Sequence, residues 1–335
     1  SILEGLGCID TLCFGSECGE LSVLQHIAQL LLSESDTYSH MLQDALKKGH
    51  SFPAARHQAL EKLTGDASVS QIISEPNNIL GIEYLKALKK QNSRMVPYTL
   101  KRDSSGYHDT KLQPQSSSAS AIRNALRHWE KQPFSRYPAD PQQTPDGFSE
   151  LLQNQLPENA LRLLRDAWNQ SCPIETNDFS LLLKYRLLCE TRRSLCEYQD
   201  ISEDLANRII RNRNQFLNFE QFCQLLKTKE LTYSRGLLHI LLAVKKEDML
   251  RYRESSCIYT RILGFRKEHA DVLRQIKENA SIPVITKLGQ TDSLLPETIR
   301  MLDQTTFASD LYESVVSDKF GIPFINEYQK QIIHV

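Results

Sequence analysis

No run in this 335-residue sequence approaches the roughly 18 uncharged apolar residues that a bilayer-crossing helix needs. Stretches such as Leu237 to Val244 are short and carry His239, so no membrane role is expected. The first residues, Ser1-Ile-Leu-Glu-Gly-Leu-Gly7, hold no basic segment ahead of an apolar core and a small-residue cleavage site, and the expected location is the cytoplasm. Cysteine is sparse: there are eight in the chain and none forms a Cys-x-x-Cys pair. That spacing argues against a disulfide framework or a structural zinc site, so the cysteines are expected to be reduced and mostly buried. Neither sign of charge dominates, with 40 Lys and Arg against 41 Asp and Glu. Gly-x-x-x-x-Gly-Lys-Ser/Thr and Gly-x-Gly-x-x-Gly are both missing, which removes the P-loop and the dinucleotide fingerprint. No Ser/His/Asp or Cys/His set stands out, and no protein metal-ligand set is expected.

What is present is the composition of an ordinary globular protein, 40% hydrophobic and 24% charged, at a length that suggests two domains. Ile9 to Phe14 reads as a buried strand stopping at Gly15-Ser16-Glu17. Leu21, Leu24, Ile27, Ala28 and Leu31 then recur at helical spacing, and helices follow over about 37–48 and 52–63. Asn77 or Asn78 is placed as the cap of an amphipathic helix over 79–90. Met95 to Leu100 reads as a strand with Pro97, suited to an edge, and a polar loop over 103–118 leads into a helix from Ser118. Strands alternating with helices indicate a parallel α/β unit.

Pro133, Pro138, Pro141 and Pro145 place a linker at 132–146 between an α/β domain over 1–131 and a mainly helical domain over 147–335. Helices are expected there over 151–168, 179–196, 205–212, 218–226, 234–250 and 269–278, with a single strand over 282–286.

A glycine at the end of a strand ahead of a helix lies where open α/β sheets bind ligands, since a backbone approaches a nucleotide only where side chains are absent. Gly15 is therefore a candidate contact, although a plain strand-to-helix turn also needs glycine. Asn77 and Asn78 serve equally as caps or as amides facing a purine or ribose. Lys101-Arg102 could neutralise phosphates, Arg supplying a forked donor, or could be ordinary surface charge. Ser116-Ser-Ser-Ala-Ser-Ala-Ile-Arg123 puts hydroxyls and free N–H groups at a helix start, with Arg123 one turn on; an anion site and simple capping compete evenly.

In order and spacing, Leu12-Cys-Phe-Gly-Ser-Glu17, Ser51-Phe-Pro-Ala-Ala-Arg56, Pro76-Asn-Asn-Ile-Leu-Gly-Ile-Glu-Tyr-Leu-Lys-Ala-Leu88, Gly106-Tyr-His-Asp109 and Ser118-Ala-Ser-Ala-Ile-Arg123 resemble the bacterial tRNA-Met cytidine acetate ligase family. The resemblance continues more weakly through Leu231-Thr-Tyr-Ser-Arg235, Leu237-Leu-His-Ile-Leu-Leu242 and Ile262-Leu-Gly-Phe265. It implies an incomplete Rossmann-like nucleotidyltransferase domain and a helical tRNA-binding domain. It also implies ATP, with accompanying magnesium, activating acetate to acetyl-adenylate for transfer to the wobble cytidine amine of elongator methionine tRNA. By the same resemblance Gly15, Asn77, Arg102 and Asp103 fall where the family holds ATP, Asp103 through its backbone because an apolar residue is usual there. Ser118, Ser120 and Arg123 would face phosphates. No protein partner is implied.

The family's His-x-Gly-His motif, whose histidines stabilise charge developing on the α-phosphate, does not occur in these 335 residues. Ser1 to Gly7 matches sequence that follows that motif in the family, so the expectation is a chain without its first strands and, if it is all there is, with little adenylation. No catalytic residue is assigned; His108 is a tempting general base, but a lone loop histidine is more often structural.

From Leu205 to Lys267 thirteen Lys or Arg face five acids, so a near-neutral chain gathers its positive charge in one segment. Tyr233, Tyr252 and Tyr259 interleave, a pattern suited to unpaired RNA bases or to a solvated helical surface. Lys227, Lys229, Arg235 and Arg251 are the expected tRNA phosphate contacts. A nucleotidyltransferase acting on a small phosphorylated substrate, and a non-catalytic tRNA-binding protein, are the competing readings.

Overall fold

The computed structural model describes residues 2–33, 36–48, 50, 52–65, 67–102, 111–113, 117–130, 151–152, 154–227, 234–254, 259–289, 291 and 294–334. The chain divides into two compact units, Gly7–Arg165 and Asp166–Val335, with Ile2 and Glu4–Leu6 grouping with the second. The proline-rich stretch 132–146, where the sequence places the linker, lies outside the described residues.

In the first unit β1 (Thr11–Ser16) and β2 (Val96–Lys101) pair in parallel, with Thr11 opposite Val96 and Ser16 opposite Lys101. Alternation along β1 turns Phe14 and Ser16 inward and leaves Thr11, Cys13 and Gly15 exposed, as a pleat with one covered face requires. The cover is α2 (Leu21–Leu32) and α6 (Pro76–Lys90). Leu24, Ile27, Ala28 and Leu31 of α2 and Ile82 and Leu85 of α6 are buried with Phe14. Between them run α3 (Asp36–Lys47), α4 (Phe52–Thr64) and α5 (Ala67–Ile72), and α7 (Ala119–Glu130) follows β2. The short helix α1 (Ile2–Leu6) precedes β1.

Asn77 and Asn78 are not caps. Glu75 holds the extended N-cap conformation and Pro76 opens α6, a position where proline forfeits no helical hydrogen bond. Both asparagines thus sit in the first turn. Nor are the cysteines mostly buried: Cys13 and Cys189 are exposed, and Cys8, Cys18, Cys172, Cys196 and Cys223 are half-buried free thiols.

The second unit is mainly helical. α8 (Glu158–Ala167) spans the division, and α9 (Ser180–Cys189), α10 (Arg192–Leu195), α11 (Glu203–Asn212), α12 (Phe219–Leu226), α13 (Ser234–Leu241), α14 (Lys246–Glu254), α15 (Ala270–Asn279) and α16 (Pro296–Phe320) follow. Three helices expected to be continuous are broken by local chemistry. Asn154 at φ +63° and Pro157 interrupt the first. Thr191 restarts the second with a capping box shared with Ser194. Ala243 at φ +55° ends α13. Thr191 and Ser202, which accepts the Leu205 N–H, show why the helix starts are sharp. The 25-residue α16 escapes periodicity because two of its buried positions are threonines, Thr298 and Thr306. The expected strand over 282–286 shrinks to β5 (Val284–Ile285), paired in parallel with β3 (Thr260–Arg261), while β4 (Gly264–Phe265) pairs with β6 (Ile333–His334). The core is built on Leu183, Leu187, Leu205, Ile209, Phe216, Phe219, Phe222, Leu237 and Ile240.

Candidate nucleotide site at the strand ends

The carboxyl ends of β1 and β2 are held level by short polar links. Arg102 donates its backbone N–H to the Ser16 carbonyl at 3.0 Å. The buried Ser16 hydroxyl lies 2.7 Å from the Thr99 hydroxyl and accepts the Gly19 N–H at 3.0 Å. Gly19 needs its φ of +70°, and a Cβ there would stand 2.6 Å from Lys101 Cβ, so the turn leaving β1 fits against β2 only with glycine.

Gly15, one pleat before the strand end, faces out. The atoms nearest to a Cβ at this position would be Arg102 Cγ and Cδ, at 3.5 and 3.8 Å, and the Leu100 carbonyl oxygen at 3.9 Å. Gly15 and Arg102 are therefore neighbours on the exposed face, with bare backbone beside the aliphatic stem of the arginine.

Asn77 arrives from α6. Its Nδ2 donates to Glu17 Oε1 at 2.6 Å, its backbone N–H reaches the same oxygen at 3.4 Å, and the Asn78 N–H donates to Glu17 Oε2 at 2.9 Å. In return, Asn78 Oδ1 accepts the N–H groups of Glu17 and Cys18 at 2.9 and 3.1 Å while its Nδ2 donates to the Ile72 carbonyl at 3.0 Å. Asn78 is 1% exposed, and both its amide oxygen and its amide nitrogen have partners, as a buried polar group needs. The structure thus brings Gly15, Asn77 and Arg102 to one end of the sheet. Asp103 and His108 lie outside the described residues.

Ser118, Ser120 and Arg123 form their own cluster at the start of α7. Ser118 Oγ accepts the Ala121 N–H at 3.0 Å, the capping interaction, and Arg123 Nη2 donates to Ser120 Oγ at 3.4 Å. In the second unit Lys227 is exposed. Arg235 is 80% exposed and 3.9 Å from Asp200, Arg251 pairs with Glu247 one turn earlier, and Lys229 lies outside the described residues.

Much of the basic segment is committed to structure. Arg208 donates to the Leu226 carbonyl, Arg213 to that of Glu190 at 3.1 Å, and Lys246 to those of Cys196 and Ile201 at 2.7 and 2.8 Å. Lys245 pairs with Glu197 and Arg261 with Glu327, both at 2.8 Å.

Glu17 and Asn78 carry the geometry of the strand-end site, yet the sequence assigns Glu17 no role and reads Asn78 only as a cap or a purine-facing amide. They meet across about 60 residues of chain, a separation that leaves no local signal. Among the described residues no group of three or more His, Cys, Asp and Glu is placed to hold a metal, and no helix is long and apolar enough to cross a membrane.

A family model described as HIGH Nucleotidyl Transferase matches residues 1–322. The tRNA(Met) cytidine acetate ligase of Caldanaerobacter subterraneus subsp. tengcongensis is 35% identical over 315 residues, covering 93% of this chain and 73% of the relative. The chain belongs to this family. The tRNA(Met) cytidine acetate ligase of Acetivibrio thermocellus is 34% identical over 318 residues, with the same coverage. The crystal structure of apo Thermotoga maritima TmcAL superposes at a TM-score of 0.84 with 25% identity, over 100% of this chain and 79% of that one. A second structure of that protein, bound with alpha-thio ATP, shares the fold at a TM-score of 0.81 and 24% identity. The α/β unit with its parallel strands, followed by a mainly helical unit, is thus the architecture of an acetate ligase family, and the chain is a member of an enzyme class.

Proposed function

We propose that the protein is an ATP-dependent ligase that acetylates the exocyclic amine of the wobble cytidine in elongator methionine tRNA through acetyl-adenylate. The observation that carries this reading is the meeting of Gly15, Asn77 and Arg102 at the carboxyl ends of two parallel strands, where α/β sheets bind nucleotides, in a chain of the acetate ligase family.

Gly15 lets the nucleotide approach the backbone, Asn77 supplies an amide, and Arg102, with the backbone of Asp103, meets phosphate or ribose oxygens. Ser118, Ser120 and Arg123 bind phosphates at the α7 start, where the helix dipole favours an anion. Magnesium would enter with the nucleotide. Glu17, the carboxylate at the strand ends, already accepts from α6 through both oxygens.

In the first step an acetate oxygen attacks the α-phosphorus and pyrophosphate leaves. In the second, the cytidine amine attacks the acetyl carbonyl, AMP leaves, and the amine gives up its proton. Activation is needed because a free carboxylate is a poor acyl donor. Lys227, Lys229, Arg235 and Arg251 contact tRNA phosphates, with the helical domain over 147–335 binding tRNA and the domain over 1–131 binding ATP.

The test is incubation with ATP, radiolabelled acetate and elongator methionine tRNA, followed by nucleoside analysis. The reading requires ATP-dependent N4-acetylcytidine at the wobble position with AMP and pyrophosphate in equal amounts. ADP and phosphate in their place would contradict the adenylate step.

A further inference from the structure

We infer that Glu17 is a positioning residue that sets which atom of Asn77 meets the nucleotide, and so makes the site select a hydrogen-bond donor on its ligand. This rests on the proposed nucleotide role of the strand ends and extends it to a residue with no assigned part.

The argument is one of donor and acceptor chemistry. An asparagine amide offers an acceptor at Oδ1 and two donors at Nδ2, and at ordinary precision only the hydrogen-bond network tells which way it points. Here the network decides. An ionised carboxylate accepts and never donates, so the atom of Asn77 lying 2.6 Å from Glu17 Oε1 is the amine. The same oxygen takes the Asn77 N–H, and the other takes that of Asn78, which fixes the carboxylate against rotation. Behind it the buried Asn78 amide holds the Glu17 and Cys18 backbone N–H groups, so the backbone that carries the carboxylate is itself fixed. Because Glu17 holds one Nδ2 hydrogen, the amide cannot turn over, and Oδ1 is the acceptor that the Asn77 side chain presents to a ligand. No partner for it occurs among the described residues.

An acceptor at that point favours a nucleotide group that donates: the exocyclic amine of adenine or a ribose hydroxyl. A purine carrying a carbonyl in place of the amine would set two acceptors face to face. Glu17 also sits where an anion is favoured at the start of α6. Nucleotide phosphates are thereby left to the α7 start.

The experiment compares binding of ATP, inosine triphosphate, 2′-deoxy-ATP and 3′-deoxy-ATP by calorimetry in the intact protein, with thermal unfolding as the folding control. Wild type should bind ATP at least about tenfold more tightly than one of the analogues, the cost of one unmatched hydrogen bond. Discrimination against inosine triphosphate assigns the amine, and discrimination against a deoxy analogue assigns the hydroxyl. In Glu17→Gln the new amide donor forces Asn77 to turn its oxygen inward, and the discrimination should disappear with ATP weakened about tenfold. The double variant Glu17→Gln/Asn77→Asp restores an inward donor–acceptor pair and an outward acceptor at the same net charge, and should recover the preference.

Unchanged discrimination in Glu17→Gln overturns the inference. So does a uniform weakening of every nucleotide alongside a lowered Tm with no recovery in the double variant, which would make Glu17 only a brace for α6. Wild type that fails to bind ATP refutes the nucleotide reading itself, before any variant is made.

Discussion

Phe14 of β1 lies on the bare backbone of Gly81 in α6: a Cβ on Gly81 would stand 2.5 Å from Phe14 Cε2. Tyr84 meets the same ring edge-on at a centroid distance of 5.8 Å. This contact brings α6 against β1 and so delivers Asn77 and Asn78 to the strand end. Gly81→Ala should destabilise the protein. Overpacking costs about 1–3 kcal/mol, and the helix-propensity gain of about 1 kcal/mol offsets only part of it. Urea unfolding followed by circular dichroism would show a lower midpoint with an unchanged slope.

Glu327 ties the C-terminal segment to α16 and β3 through Ser309 and Arg261. Burial alone would raise its pKa, but hydrogen bonds from Ser309, Arg261 and Lys330 outweigh burial and lower it from 4.5 to about 2. A depressed carboxylate contributes stability that is complete above its unfolded value and is lost as pH falls through the folded one. Wild type should therefore lose stability between about pH 4.5 and 2. Glu327→Gln should be less stable at pH 7 by about 2–3 kcal/mol and should lack this part of the acid transition. Parallel unfolding curves for the two proteins from pH 7 to 3 would contradict the assignment.

Because Arg251 already pairs with Glu247 whereas Lys227 is exposed with no side-chain partner among the described residues, the two should differ in their use to tRNA. Lys227→Ala should lower tRNA affinity and reduce the slope of log K against log salt by about 0.7–0.9, one phosphate contact. Arg251→Ala should do less. Filter binding at several salt concentrations checks both, and equal slopes in wild type and Lys227→Ala would remove that residue from the interface.

Glu190 accepts from the Tyr198 hydroxyl at 2.6 Å, and Arg186 donates to that hydroxyl at 2.7 Å. Burial, reinforced by the Glu190 hydrogen bond, pushes the tyrosine pKa up to about 12. Tyr198→Phe should cost about 1–2 kcal/mol by leaving two charged groups short of a partner, and absorbance titration should show one fewer late-ionising tyrosine.

The first unit was legible where a local period coincides with burial. Leu24, Ile27, Ala28 and Leu31 line up at helical spacing and are all buried, and the strand read over Ile9 to Phe14 is present as Thr11–Ser16, buried on one face only. Legibility failed where structure depends on partners distant in sequence. Glu17 reaches Asn77 and Asn78 across about 60 residues, so the asparagines read as caps when they are in fact capped. Strands β3 to β6 are two residues long each and exist only through pairing, and no period can mark so short an element. The breaks after Cys189 and Leu241 come from one capping threonine and one left-handed alanine, which barely disturb the apolar spacing around them.

The central claim is that a nucleotide lies against the bare backbone of Gly15. Gly15→Val tests it most directly, because its Cβ meets nothing nearer than 3.5 Å and a β-branched residue suits a strand, so the fold should stand. ATP titrated into both proteins by calorimetry should show affinity reduced at least about tenfold in the variant, with Tm unchanged. Equal ATP affinity in the two proteins would contradict the account.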